Sequence, residues 1–336
     1  MIREKAAERV NAMPAQSAVL LVSQGRSGSN WLLGVLDQSP FTHCRNDANA
    51  VAESPFARLP DPVAWSESMV PALEAGFDDA LASARERMGA RNPRSTVPKT
   101  HLHTVSRALG LVAVVQRRTS RFVLGSLMPS LRREEWRLPR WIGRPDALTT
   151  STFVVKLGLS AGWIPWVLRR RPSTHVAHVI RHPGGYLASW SARYLMPRDR
   201  AAITCANRTR LRVVAALDPL WAPHFAHTGD MSAEEAELWY WAYCTDTVRR
   251  AGATSARYTC VRYEDLLADV RGTTRGLFER IGLPWSAAVE QRVRATTTHP
   301  PEYAIAWRKY LGVAQRALVA RVLERSGLAD VWRDVA

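Results

Sequence analysis

Between Ser23 and Trp31 the chain reads Ser-Gln-Gly-Arg-Ser-Gly-Ser-Asn-Trp. Glycines at 25 and 28 let a backbone curl until its N–H groups converge on one point. Arg26 adds a full positive charge, and Ser27 and Ser29 add hydroxyl donors. Such a loop suits a phosphate-like anion, above all if a helix starts just after it. It is not the G-x-x-x-x-G-K-[ST] loop of nucleoside triphosphatases, because no lysine follows Gly28 and Gly25 stands too close. A second basic position occurs in Val179-Ile180-Arg181-His182-Pro183, with Ser189 further along the same segment. An arginine can grip a phosphate through two parallel hydrogen bonds, and a serine hydroxyl can add another. Two such corners suit a nucleotide with phosphates at both ends of its ribose.

Both corners must be held at the ends of strands. Ala18 to Val22 is a short apolar run, read as a buried parallel strand, and Asn30 to Asp37 reads as the helix after it, stopped by Pro40. Thr152 to Lys156 and His175 to Ile180 read as strands, with helices over Ala161 to Arg170 and Gly184 to Tyr194. Glu234 to Ala251 is a long amphipathic helix, Tyr258 to Arg262 a further strand and Arg275 to Ile281 a further helix. Strands alternating with helices predict an α/β fold, a three-layer parallel sheet flanked by helices. Ligands of such sheets bind at the carboxyl ends of the strands. Residues 60–150 are less regular. Ala72 to Met88 and Val105 to Val115 read as helices and Arg132 to Arg144 is basic and Trp-rich, so the stretch is expected to be a mostly helical insertion or cap. Residues 1–16 read as a tail and 17–330 as one domain.

These segments together resemble the sulfotransferases. Gln24 to Trp31 (Gly25, Arg26, Ser27, Gly28, Ser29, Asn30) is similar to their 5′-phosphosulfate loop in its bacterial form. Arg181 to Ser189 is similar to their 3′-phosphate motif. Val261-Arg262-Tyr263-Glu264-Asp265-Leu266-Leu267, then Ile281-Gly282-Leu283-Pro284, and Trp307-Arg308-Lys309-Tyr310-Leu311 resemble later family segments, in the family's order. The resemblance implies a P-loop nucleotide-kinase-like sulfotransferase fold and an EC 2.8.2 activity. The donor would be 3′-phosphoadenosine-5′-phosphosulfate (PAPS), the by-product adenosine 3′,5′-bisphosphate (PAP), and no metal would take part. The acceptor would be a hydroxyl of a carbohydrate, glycolipid or small metabolite.

It also implies roles. Arg26 would hold the 5′-phosphate and neutralise the bridging oxygen as it leaves; Arg181 and Ser189 would hold the 3′-phosphate. Tyr263 would lie near the adenine or that phosphate, and Arg308 or Lys309 would reach over it. Lys156, at the end of its strand, would stabilise the sulfuryl oxygens. The general base stays open between Asp47, His101 and His43. Asp47 falls where a bacterial branch of the family carries Gly-Glu. Lys99-Thr100-His101 repeats the K-T-H string of the cytosolic branch, although Phe153 to Gly158 occupies that string's place before the 3′-phosphate strand. His175 and His178 read as structural, and His182, before Pro183 at a strand end, as a structural or phosphate-side residue rather than the base.

The formal net charge of +16 over 336 residues fits an anionic ligand. It also admits a rival, a module for nucleic acid or another anionic surface, supported by the basic Trp136 to Arg144 stretch. No nucleic-acid-binding motif accompanies it, and no nucleic-acid partner is expected. A P-loop kinase or NTPase is the other rival; Arg181 stands where such a protein would carry a metal-binding Asp. Cys44, Cys205, Cys244 and Cys260 have no metal-ligand spacing. Met1 to Gln16 lacks the apolar core of a secretory signal, and no run approaches the ~18 residues of a membrane span. The expectation is a cytoplasmic enzyme; oligomeric state is not encoded legibly.

Overall fold

The computed structural model describes residues 18–47, 54–88, 97, 99–100, 136–137, 151–158, 160–295 and 300–335. Its centre is a five-stranded, all-parallel sheet. In chain order the strands are β1 (Ala18–Ser23), β2 (Thr42–Asp47), β5 (Thr152–Gly158), β6 (Thr174–Ile180) and β7 (Tyr258–Arg262), and across the sheet the order is β2-β5-β1-β6-β7. A separate two-residue pairing joins β3 (Arg87–Met88) to β4 (Trp136–Arg137). All six residues of β1 are buried, as a strand between two parallel neighbours demands.

Eleven α-helices are described: α1 (Ser29–Leu36), α2 (Val70–Glu86), α3 (Ile164–Arg170), α4 (Pro183–Tyr194), α5 (Arg200–Leu217), α6 (Ala233–Gly252), α7 (Tyr263–Ala268), α8 (Val270–Arg280), α9 (Ala287–Arg294), α10 (Trp307–Tyr310) and α11 (Val313–Arg325). They cover both faces of the sheet. Leu20, Val22, Val155 and Val176 pack on one side with α2, α3, α4, α5, α6 and α11. Leu21, Val154, Ala177 and Val261 pack on the other with α1, α8 and α9. This is the three-layer α/β arrangement expected from the sequence.

The apolar strands fall where the sequence puts them, within a residue or two at their ends. β2 has no counterpart among the expected strands: Thr-His-Cys-Arg-Asn-Asp has neither alternation nor a run of strand formers. It is an edge strand, pairing only with β5, and the register Thr42↔Thr152 to Asp47↔Leu157 sets it in place. Helix α2 matches the expected helix over Ala72 to Met88, but ends at Glu86. The expected helix over Val105 to Val115 lies outside the described residues, as does Arg132 to Arg144 apart from Trp136 and Arg137. Among the described residues no helix is long and apolar enough to cross a membrane.

The topology locates a crevice. From β1 the chain leaves through α1 toward β2 on one side; from β6 it leaves toward β7 on the other. β1 and β6 are hydrogen-bonded neighbours, so the strand order reverses between them. That reversal opens a crevice at their carboxyl ends, beyond Ser23 and Ile180.

Candidate active site

The loop after β1 and the turn after β6 flank this crevice. Gly28 caps α1 at φ +84°, and Arg26 is the one non-glycine residue with positive φ among the described residues, at +68°. A left-handed arginine costs of order 1 kcal/mol or more, a kind of strain that collects at ligand sites. Gln24 to Ser27 form a tight turn, and the backbone N–H groups of Gly25, Arg26, Gly28, Ser29 and Asn30 find no acceptor among the described residues. They and the start of α1 form a run of unspent donors, the physical requirement for an anion cradle.

The serine hydroxyls partly serve the loop itself. Ser27 Oγ donates to Gln24 O at 2.8 Å, and Ser23 Oγ donates to Ser29 Oγ at 2.7 Å. Both Ser27 and Ser29 are buried. Asn30 is exposed, and Trp31 lies half-buried against the core under α1.

Arg181 leaves the end of β6 and donates from Nη1 to Arg26 O at 3.1 Å. Arg26 Nε donates to Ser189 Oγ at 2.9 Å. The two guanidiniums therefore meet over one crevice, joined through the loop backbone and the hydroxyl of α4. Among the described residues no carboxylate lies within 4 Å of either. Two arginines at a switch point, with no ion pair within 4 Å among the described residues, suit a multiply charged anion.

Tyr263, first residue of α7, wedges into the same corner. The Arg181 guanidinium lies 4.5 Å from its ring centroid, and a Cβ added to Gly28 would come within 2.7 Å of its Cδ2. Gly28 is thus required twice, for its φ and for the ring above it. Gly28→Ala is expected to cost about 1–3 kcal/mol of stability, read as a lowered urea midpoint with unchanged slope.

His182 is structural. Its Nδ1 accepts the Gly184 N–H at 3.0 Å and so caps α4, while its ring stacks on Trp307 at 4.8 Å and meets Trp332 edge-on. Burial first, then Arg308 and Arg181, lower its pKa to about 4, so it is neutral at pH 7. Its backbone N–H donates to Glu264 Oε1 at 2.9 Å, and Trp332 Nε1 donates to Glu264 Oε2. Trp307 lies so close over Gly184 that no larger residue fits there. This brings α10, with Arg308 and Lys309 both exposed, over the start of α4.

Lys156 stands two residues before the end of β5. Its Nζ donates to Asn46 Oδ1 at 3.3 Å. Strand alternation puts it on the Val154 face, the face that carries α1. Burial lowers its pKa.

Of the candidate bases, Asp47 ends β2 one residue past Asn46, so it sits at the carboxyl edge of the sheet. Its side chain is outside the described residues, as is His101. His43 is buried near the start of β2, edge-on to Phe153 at 5.4 Å, and four residues of strand, about 13 Å, separate it from the carboxyl edge. Lys99 and Thr100 also lie at the amino ends. Lys99 Nζ pairs with Asp37 Oδ1 at 3.0 Å and donates to Ser39 O, and Thr100 N donates to Pro40 O. These bonds close the α1–β2 turn, on the side of the sheet away from the loop. His175 and His178 are tied to Thr259 and Tyr258 within the sheet.

A family model described as the sulfotransferase family matches residues 18–287. The chain belongs to the sulfotransferase family. It is similar to several solved sulfotransferase structures at low identity. The sulfotransferase domain from the curacin biosynthetic pathway is 12% identical over 91% of this chain and 96% of its own, with a TM-score of 0.42. The sulfotransferase domain of the Synechococcus PCC 7002 olefin synthase is 17% identical over 93% and 96%, at 0.40. Sulfotransferase STF1 of Mycobacterium tuberculosis H37Rv is 16% identical over 96% and 79%, at 0.41. No curated protein matches the sequence. The sulfotransferase match covers both basic corners, Tyr263 and Lys156, and ends before α10. Two parts of this sulfotransferase corner escape a reading for charge: the His182 cap and Glu264 behind it. Glu264 does sit inside the Tyr263-Glu264-Asp265 segment, which is where a signal for it lay.

Proposed function

We propose that the chain transfers the sulfuryl group of PAPS to an acceptor hydroxyl by in-line displacement, as a single domain over residues 17–330. One observation carries the reading: Arg26 and Arg181, neither with a carboxylate within 4 Å among the described residues, converge at the β1/β6 switch point beside a run of unspent loop amides. Those donors fit a nucleotide bearing phosphates at two positions. Bound there, PAPS would supply an activated sulfuryl group on a phosphosulfate anhydride.

The chain's own residues have four tasks. The loop amides and Arg26 bind the 5′-phosphate side and offset the charge that gathers on the leaving oxygen. Arg181 and Ser189 bind the 3′-phosphate, with Tyr263 beneath and Arg308 or Lys309 closing from α10. Lys156 stabilises the sulfuryl oxygens. Asp47 takes the acceptor's proton, with His101 as the alternative. Positioning and charge stabilisation supply most of the rate, as in phosphoryl transfer. The acceptor is a small molecule or carbohydrate bearing a hydroxyl.

The test is to incubate the chain with PAPS and a panel of hydroxyl acceptors in excess chelator. Formation of PAP dependent on one acceptor is the expected result. Turnover that needs a divalent cation, or thermal stabilisation by ATP equal to that by PAP, would return the chain to the kinase reading.

A further inference from the structure

Helix α6 is buried along most of its length, yet one of its faces is polar. Glu237, Tyr240 and Cys244 recur at helical spacing on that face, and all three are fully enclosed. At one end of this row the buried Tyr186 hydroxyl, from α4, donates to Glu237 Oε1. Arg210, from α5, lies 3.6 Å from Glu237 Oε2 and covers the Tyr240 ring at 4.5 Å. At the other end the Cys244 thiol faces the polar ends of Tyr240 and Gln24.

The ends of the row are what matter. Gln24 is the loop residue two before Arg26. Tyr186 lies on α4 between Arg181 and Ser189. One buried row therefore runs from the helix that follows Arg181 toward the loop that carries Arg26. Burial pushes the Glu237 carboxyl up and Arg210 pulls it back. A buried carboxylate and its cation are often no better for stability than apolar packing of the same volume, so stability alone is a weak account of the row.

We infer that the Glu237–Tyr186 pair, braced by Arg210, is a positioning device that holds α4 so that Ser189 and Arg181 face Arg26 across the donor crevice. The inference rests on the proposed function, because it concerns the geometry of the donor site. Tyr186 touches no reacting atom and acts through Ser189 and Arg181. The bond from its hydroxyl to Glu237 is fully buried, so its loss is expected to read as roughly a tenfold change in an equilibrium.

The test compares PAP affinity by calorimetry, donor KM, kcat and melting temperature in the full chain. Tyr186→Phe is expected to raise the PAP Kd and the donor KM about tenfold and to change kcat less. Glu237→Gln keeps an acceptor for the Tyr186 hydroxyl but breaks the ion pair with Arg210, and is expected to raise the Kd less than Tyr186→Phe does. In a Ser189→Ala background the effect of Tyr186→Phe should shrink, since interacting residues are not additive. Tyr243→Phe, on the same helix, removes a comparable hydroxyl that accepts from Trp65 N; it should lower the melting temperature without moving the Kd. Wild-type affinity in Tyr186→Phe, or an equal loss in Tyr243→Phe, overturns the inference alone. A wild-type chain that does not bind PAP overturns the proposed function and the inference with it.

Discussion

Replacing Arg181 by alanine is expected to remove at least half of the thermal stabilisation that PAP gives the wild-type chain. A ligand that binds only the folded state stabilises it by RT ln(1 + [L]/Kd), about 2.7 kcal/mol at a hundredfold excess over Kd. A guanidinium gripping a phosphate contributes about 1.5–3 kcal/mol or more through charge-assisted bonds. Its loss raises Kd roughly 10- to 100-fold, and at the same PAP concentration the stabilisation falls to about 1.4–0.4 kcal/mol. Arg181 also donates to Arg26 O and lies over the Tyr263 ring, so the variant loosens the loop as well. The unliganded melting temperature separates these effects. Arg181 makes no ion pair within 4 Å among the described residues, so the unliganded protein should melt within a few degrees of wild type. Arg181→Lys keeps the charge without the fork and should recover part of the shift. A PAP shift of wild-type size in Arg181→Ala would detach the second corner from the nucleotide.

The corners were legible in the sequence because their chemistry is local. Gly25, Arg26 and Gly28 announce a curled basic loop by type and spacing alone, and Arg181 follows an apolar strand. What sequence could not supply was their meeting: Arg26 Nε on Ser189 Oγ and Arg181 Nη1 on Arg26 O join residues more than 150 positions apart. β2 stayed hidden because its strand character comes from β5 rather than from its own residues. Lys99 shows the opposite failure. Lys99-Thr100-His101 carries a suggestive string, but tertiary contacts commit Lys99 to Asp37 and the α1–β2 turn, at the far end of the strands. Ser27 and Ser29 were read as ligand hydroxyls; loop closure engages them first. The Glu237–Tyr186 pair was invisible for a further reason. A helix read for amphipathicity hides polar residues on its core side, and α6 has apolar and polar residues buried together.

Lys156 offers the sharpest test of the chemistry, because stability and turnover should move in opposite directions. Burial lowers its pKa, so the folded chain releases this proton more readily than the unfolded chain does. At neutral pH its charge therefore costs stability, and the cost is relieved as pH rises through the lowered value. If the charge stabilises the sulfuryl oxygens, kcat must fall along the same alkaline limb. Lys156→Arg keeps its charge to higher pH, since an arginine stays protonated throughout the working range, and should flatten that limb. Lys156→Met removes the charge; it should melt no lower than wild type at pH 7, despite losing the bond to Asn46 Oδ1. Its kcat should fall about 10²- to 10³-fold, the usual effect of deleting one preorganised donor. Its PAP affinity should change little, because PAP no longer carries the sulfuryl group that Lys156 would serve. A Lys156→Met enzyme with full turnover, or one that loses PAP binding in proportion, would assign Lys156 to the fold or to the nucleotide instead of the transferred group.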